Sequence, residues 1–353
     1  MSRIVVTGGR GPLARSVVQM LRETAGVEWV RAIEAQGHER DDGEIEVLSY
    51  VPDHRPLSNY LEKEGVDTLI QCDLAPDRTG RNVGAHEADV IGTMCLGAAV
   101  GHAGSPVRCW VLASSSAIYP IGSFQAQIQS EHQEIVAEAG TQSASIAEAE
   151  EYARDVAHRL PHLNVAILRL QQLAGGPLHG PLASLLKRER VPSPIGFDPL
   201  IQLLHADDAA SALSFAARNE LAGVYNVASA GSVHWQDAVR ATGHSTQPVL
   251  PVSAALLEPL LDRLPVRLPL TPTALLDLLR FGQAIDIQKI ERSGWRPQHD
   301  QLDCLAALSR ETGLPRSETP QRQLARDRPG TPGTTARNQR PPSASARRSR
   351  VRR

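Results

Sequence analysis

The chain has 353 residues, of which 41% are apolar, and a formal net charge of −2 at pH 7. A single domain usually runs to roughly 100–200 residues, so the chain can bury one large core or two smaller ones. Its four cysteines stand far apart, without C-x-x-C spacing or a neighbouring cluster of histidines. This argues against a disulfide framework and a zinc site, and it predicts a reduced, cytoplasmic chain without a bound metal.

The amino-terminal residues carry no leader pattern. They run directly into an apolar stretch at residues 4–6, without the basic region and longer apolar region that a signal peptide needs. No segment approaches the ~18 uninterrupted apolar residues that indicate a transmembrane helix. We therefore expect neither secretion nor a membrane span.

Short β-branched runs alternate with helical patterns along the first half of the chain. Six runs are predicted strands, at residues 3–6, 27–33, 44–48, 68–72, 109–113 and 165–168. Strands joined by helical crossovers pair in parallel. Residues 1–170 are therefore predicted to form an α/β, Rossmann-type doubly wound parallel sheet.

The remaining residues divide into two predicted regions. Residues 171–314 mix Pro- and Gly-rich segments with helices, which is typical of a smaller substrate lobe over the carboxyl ends of the strands, with some return to the sheet. Residues 315–353 hold eleven arginines and only two acids. This basic tail has few large apolar residues and is predicted to be disordered. It has no aromatic residues to stack on bases, so we expect no specific nucleic-acid binding, with non-specific attraction to nucleic acid or anionic lipid as the alternative.

A glycine turn follows the first predicted strand. Residues 7–14 read TGGRGPLA, and Val17, Val18 and Leu21 continue at helical spacing. Strand, glycine turn and helix start in this order predict a dinucleotide site, in which Gly8 forms the turn and Gly11 leaves room for a pyrophosphate. Thr7, Pro12 and Leu13 complete the predicted cofactor contacts. An ordinary Gly-rich loop is the alternative.

An acid stands at the end of the second predicted strand. Glu34 lies twenty residues past Ala14, where a carboxylate accepts hydrogen bonds from the adenosine ribose hydroxyls. Its charge would repel a 2′-phosphate, so NAD is the predicted cofactor. Arg31 and Arg40 are near enough in sequence to keep NADP as the alternative, and a solvated charge at a strand end is the other reading of Glu34.

Five further segments occur in a characteristic order: DVIGT at 89–93, SSSAIY at 114–119, AILR at 166–169, LHADDAA at 204–210 and GVYNV at 223–227. With the glycine turn, and over roughly residues 3–300, the chain resembles the extended short-chain dehydrogenases/reductases. This is the NAD-dependent epimerase/dehydratase family that includes UDP-glucose 4-epimerase. The resemblance implies a nucleotide-sugar-like substrate and a homodimer formed by the helix near 146–160, although Glu148, Glu150 and Glu151 make that face unusually acidic.

The resemblance also implies a catalytic hydroxyl. A Ser or Thr four residues before the Tyr of the SSxxVY motif contacts the reacting oxygen in this family, which selects Ser115, with Ser116 as the second choice. Capping of a strand end is the alternative role of these hydroxyls. The first residue of the segment at 89–93 is usually Asn, so Asp89 places an unexpected negative charge near the site.

The Tyr-x-x-x-Lys pair of the family is missing. In the family, Lys lowers the Tyr pKa while Tyr moves the proton. Its positions fall near Ser143 and Ala147, or near Gln142 and Ile146, and neither register supplies Tyr or Lys. The three lysines of the chain stand at positions 63, 187 and 289, so no shift of the alignment restores the pair. Tyr152 is predicted to pack on the buried side of its helix.

Three functions stay open from the sequence. The first is a cofactor-binding or regulatory protein that retains NAD(H) without turnover, and the second is an active NAD-dependent epimerase, dehydratase or reductase with a replacement acid/base. The third is a scaffold that has lost the cofactor. The segment around His205 is read as a helix start, capped by Asp207 or Asp208, rather than as a metal site.

Overall fold

The computed structural model describes residues 1–35, 45–74, 83–123, 125–135, 142–175, 180–250 and 273–312. The predicted disordered tail at 315–353 lies outside these residues, as does Arg40. Met1–Thr319 forms one compact unit. The boundary at residue 170 between two lobes therefore stays a prediction.

Seven parallel strands form the central sheet, in the order β12-β7-β5-β4-β1-β2-β3. Their bounds are β1 Ser2–Thr7, β2 Val27–Glu34, β3 Ile45–Val47, β4 Thr68–Gln71, β5 Cys109–Ser115, β7 Asn164–Leu170 and β12 Gly223–Val227. All six predicted strands are confirmed. The seventh, β12, is the expected return of the carboxyl-terminal region to the sheet.

Helices cover both faces of this sheet, as the doubly wound prediction requires. On one face α1 (Pro12–Arg22) packs on α6 (Ala206–Arg218). On the other, α3 (Val83–Val100) packs between α2 (Arg55–Glu64) and α4 (Gln142–Arg159). Alternate side chains of β1 pack on opposite faces of the sheet: Val5 lies in one core cluster, and Ile4 and Val6 lie in the other. Because all seven strands are parallel, their carboxyl ends lie along the same edge of the sheet.

Short strands and further helices complete the unit. Four two-stranded pairs join β8 (Leu173–Ala174) to β11 (Leu204–His205), β9 (Arg190–Pro194) to β14 (Ser245–Val249), β10 (Leu200–Ile201) to β13 (Val233–His234), and β6 (Ile128–Gln129) to β15 (Ala284–Ile285). The remaining helices are α5 Pro181–Leu186, α7 Trp235–Ala241, α8 Thr273–Phe281, α9 Gln288–Arg292 and α10 Gln301–Thr312. Within the ranges given above, no helix combines the length and the apolar character needed to cross a membrane.

Candidate functional site

The glycine turn connects β1 to α1 at the shared edge. Gly8 has φ +67°, a left-handed conformation that favours glycine, and a Cβ added there would lie 3.1 Å from the backbone nitrogen of Asp73. A Cβ added at Gly11 would lie 3.0 Å from the carbonyl oxygen of Gly8. The backbone conformation at Gly8 therefore favours glycine, and at Gly11 a side chain would crowd the turn.

The first turn of α1 presents free backbone donors. Pro12 occupies the first turn, where its missing N–H costs nothing, and the first helical bond runs from Arg15 N to Gly11 O at 3.1 Å. The N–H groups of Leu13 and Ala14 have no acceptor within the described part of the chain, and no acid stands in this turn. Such a helix start, at the positive end of the helix dipole, is suited to bind an anion such as a pyrophosphate.

Glu34 lies beside this turn. It is the last residue of β2, and its Oε2 accepts a hydrogen bond from Arg10 N at 3.2 Å. Arg31 is one of the two cations, with Arg40, on which the NADP alternative depended, and its side chain points elsewhere. Its Nη1 donates to Glu64 Oε2 at 2.9 Å and to Tyr60 Oη at 3.2 Å. The fold thus brings together the predicted turn and its predicted acid, with Arg31 bound to other partners.

A carboxyl group that the sequence analysis missed lies against Gly8. Asp73 follows β4, and Tyr50 donates its hydroxyl hydrogen to Asp73 Oδ2 at 3.2 Å. The other oxygen, Oδ1, is buried and has no hydrogen-bond partner among the residues described. Burial raises the pKa of the Asp73 carboxyl, and it also raises the pKa of Tyr50, helped by the nearby Asp73 charge. Protonation of Asp73 would remove a negative charge beside the turn.

We predict that Asp73 makes the stability of the protein fall as the pH rises. Its folded pKa lies above the unfolded value, so the folded state holds this proton more tightly and the free energy of unfolding decreases as the pH passes from the unfolded to the folded pKa. Asp73→Asn should remove that decrease. Urea denaturation of both proteins across this pH range measures it, with exposed Asp155→Asn as the matched control. Parallel curves for Asp73→Asn and the unmodified chain would refute the prediction.

Ser115 ends β5, two strands away from β1 and therefore roughly 10 Å along the edge. Its Oγ accepts a hydrogen bond from Ala117 N at 3.1 Å and so caps the 3-10 turn Ser116–Ile118. Ser116 donates its hydroxyl to Gln171 Oε1 at 2.7 Å. The capping role named as the alternative is thus present, and Ser115 keeps its hydroxyl hydrogen free of any partner in the described structure.

In either register, the positions expected for the catalytic pair lie in the first turns of α4. Ile146 is fully buried in a cluster with Ile118 and Tyr119. Tyr152 packs against α3, where a Cβ added at Gly97 would lie 2.5 Å from its ring, and its hydroxyl donates to Met94 O at 3.4 Å. The prediction that Tyr152 packs on the buried side of its helix is confirmed.

The hydroxyl groups of two other tyrosines are hydrogen-bonded to other parts of the chain, which makes them poor candidates for acid/base catalysis. The Tyr119 hydroxyl donates to Asn226 Oδ1 at 2.6 Å and accepts from Arg169 Nη1 at 2.9 Å. Tyr225 has Lys289 Nζ 4.8 Å from its ring centroid, but its hydroxyl donates to Ala222 O, just before β12 begins. This Tyr and Lys therefore meet at the amino end of β12, opposite the edge that carries the glycine turn.

A buried ion pair connects α4 to β7. Glu150 accepts hydrogen bonds from Arg169 Nη2 at 2.7 Å and Nε at 3.1 Å, and from the Ser114 hydroxyl. Both charged side chains are almost completely buried. The family resemblance places Glu150, with Glu148 and Glu151, on the helix face implied for a homodimer. For Glu150 that is wrong, because it points inward to Arg169, whereas Glu148 and Glu151 are exposed.

The predicted cap of α6 was also wrong. His205 is the N-cap residue, and its ring accepts the hydrogen bond from Asp207 N at 3.3 Å. Asp208 is buried and accepts hydrogen bonds from the backbone nitrogens of Gln298 and His299 at 3.0 and 3.1 Å. Of the two carboxylates expected to cap the helix, Asp207 and Asp208, the second instead holds a distant segment against it.

Comparison with known proteins places this geometry in a family. The model of the NAD dependent epimerase/dehydratase family matches residues 4–228. Uncharacterized proteins of Mycobacterium tuberculosis and Mycobacterium bovis are 31% identical over 204 residues, which cover 55% of this chain and 52% of each relative. The chain thus spans about half the length of the curated relatives that it matches.

Solved structures share the fold at low sequence identity. The dTDP-glucose 4,6-dehydratase of Bacillus anthracis, in complex with NAD, has 17% identity and a TM-score of 0.64, over 88% of this chain and 96% of that one. The UDP-Glc/GlcNAc 4-epimerase of Campylobacter jejuni has 16% identity and a TM-score of 0.66, over 88% and 99%. The UDP-glucose 4-epimerase of Thermus thermophilus, in complex with NAD, has 18% identity and a TM-score of 0.64, over 88% and 99%.

Proposed function

Because the chain belongs to the NAD dependent epimerase/dehydratase family, we propose that it binds NAD(H) at the glycine turn and serves as a cofactor-binding or regulatory member. The observation that carries the proposal is the start of α1, with free N–H groups at Leu13 and Ala14 and a carboxylate, Glu34, beside it. These groups match the two parts of a dinucleotide that need recognition, a pyrophosphate and a ribose diol.

The chain's residues divide the binding between them. The N–H groups of Leu13 and Ala14 receive the pyrophosphate, while Gly8 and Gly11 let it approach the backbone. Glu34 accepts the adenosine ribose hydroxyls and repels a 2′-phosphate, which favours NAD over NADP. When bound, the nicotinamide supplies hydride transfer.

We expect Glu34→Gln to change the cofactor preference. The substitution replaces charge-assisted hydrogen bonds by neutral ones, which are weaker by about 1.4 kcal/mol, or tenfold in Kd. NAD⁺ should bind about tenfold more weakly, while NADP⁺ binding improves because the repelling charge is gone. Titration with both dinucleotides measures the ratio, and Glu28→Gln, at the amino-terminal end of the same strand, is the matched control. An unchanged ratio would remove Glu34 from the cofactor site.

The missing acid/base pair supports a binding role rather than ordinary turnover. A positioned acid/base supplies about 10²–10⁴-fold of rate. The described tyrosines at 119, 152 and 225 are held by other partners, and the chain has no lysine between 63 and 187. Loss of this chemistry would leave a protein that senses or stores NAD(H).

An active epimerase, dehydratase or reductase on a nucleotide-sugar-like substrate is the second candidate. Ser115 favours it, because its free hydroxyl hydrogen lies at the sheet edge that carries the glycine turn. The experiment loads the protein with NAD⁺, adds a panel of UDP- and dTDP-sugars, and follows reduced nicotinamide by absorbance and product by chromatography. We expect no reduction and no product. Turnover that Ser115→Ala abolishes would instead establish the second candidate.

The homodimer implied by the family resemblance is likewise proposed here. Sedimentation velocity of the full chain measures it directly.

A further inference from the structure

Two histidines and an aspartate from distant parts of the sequence meet where β11 passes into α6. His205 and Asp207 come from the β11–α6 corner, and His299 comes from the segment before α10. Each offers a ligand atom, and these atoms all lie within 4.8 Å of one another. Two imidazoles and one carboxylate form the kind of donor set that binds zinc and related divalent transition metals.

A second carboxylate orients one of these rings. Asp208 Oδ1 lies 3.1 Å from His299 Nδ1, and Asp208 also holds the backbone nitrogens of Gln298 and His299. An ionised carboxylate only accepts hydrogen bonds, so Nδ1 of His299 is the donor and Nε2 keeps its lone pair. Carboxylates behind metal-binding histidines fix ring orientation and tautomer in the same way.

The exposure of the three side chains suits an ion that enters from solvent. The His205 and His299 side chains are 12% and 28% exposed, whereas that of Asp207 is 68% exposed. The two rings stack with centroids 3.8 Å apart. Ligand atoms around a tetrahedral zinc ion lie about 3.4 Å apart. The rings must therefore turn slightly, and the exposed Asp207 is free to move towards them.

We propose that His205, Asp207 and His299 form a binding site for a divalent transition-metal ion, with water completing the coordination. The ion would join the amino-terminal end of α6 to the segment before α10, two elements that Asp208 already links. This site is separate from the glycine turn, so its test is independent of the dinucleotide proposal.

Zinc is the probe for this site. The full chain is freed of metal by chelation and titrated with ZnCl₂ in a calorimeter, alongside His299→Gln, Asp207→Asn and His162→Gln. His162 is an exposed histidine outside the cluster and serves as the matched control. Asp207→Asn alters only an exposed side chain, so the proposal can still be tested if His299→Gln folds poorly. Circular dichroism of each variant checks the fold.

The unmodified chain and His162→Gln should bind one zinc ion and melt at a higher temperature with zinc than without it. In His299→Gln and Asp207→Asn, zinc binding should weaken at least about tenfold, which is the loss that removal of even an outer partner of a metal ligand produces. Equal zinc affinity in all four proteins would overturn the proposal. So would the absence of a one-to-one site in the unmodified chain.

Discussion

Replacing Gly11 with leucine is expected to weaken NADH binding by at least about 100-fold, or about 2.7 kcal/mol. Gly11 is the N-cap of α1, and a Cβ there would already lie 3.0 Å from Gly8 O. A leucine side chain there would add bulk to the turn that precedes the free N–H groups of Leu13 and Ala14, where the pyrophosphate is proposed to bind. Fluorescence or calorimetric titration with NADH measures the loss.

A second glycine separates this effect from general damage. Gly92 lies in α3, and a Cβ added there meets nothing within 4 Å. Gly92→Ala should therefore keep NADH affinity, and it should leave stability unchanged or raise it by up to about 1 kcal/mol, because alanine has the higher helix propensity. If Gly11→Leu binds NADH as tightly as Gly92→Ala does, the dinucleotide does not occupy the turn, and the proposed function is lost with it.

Arg169→Met is expected to lower the free energy of unfolding by about 3–5 kcal/mol, the usual cost of leaving a buried charge without its partner. The substitution keeps most of the side-chain volume but strips the Glu150 carboxylate of the guanidinium that binds it through Nε and Nη2. It also removes a donor from the Tyr119 hydroxyl. Urea denaturation at neutral pH measures the change.

A second arginine near Glu150 provides the control for this prediction. Arg154 approaches the same carboxylate at 3.6 Å, but its side chain is 43% exposed, so Arg154→Met should change stability by less than about 1 kcal/mol. The double variant Arg169→Met, Glu150→Gln should recover part of the loss, because no buried charge then remains. A loss below about 1 kcal/mol for Arg169→Met alone would show that water or another group reaches Glu150.

Local patterns were enough to predict the sheet and the glycine turn. Each predicted strand is a short segment that contains β-branched residues and lies between helical patterns, and Gly8 marks the turn within residues 7–14. The position of Glu34 follows from the same local order, since the end of a parallel strand next to β1 must lie at the edge that holds the turn. The absence of a Tyr-x-x-x-Lys pair could be established from the sequence alone, because the chain has only three lysines.

Contacts between distant residues were outside the reach of these patterns. Nothing in the sequence around Glu150 distinguishes it from the exposed Glu148 and Glu151, because its burial depends on Arg169 in another element. The pairing of Tyr50 with Asp73 joins the segment after β3 to the end of β4, and His299 meets His205 only after α10 folds against β11. A search for acids after each predicted strand would have flagged Asp73 but not its partner Tyr50, and the sequence singled out His205 without its partner His299.

Calorimetric titration of the purified full chain with NADH shows whether the glycine turn binds a dinucleotide. We expect saturable binding of one NADH per chain and weaker binding of NADPH, because Glu34 is proposed to lie where a 2′-phosphate would be. Failure of NADH, NAD⁺ and NADPH to bind would refute the proposed function, and it would leave the chain as a scaffold that keeps the fold of its family without the cofactor.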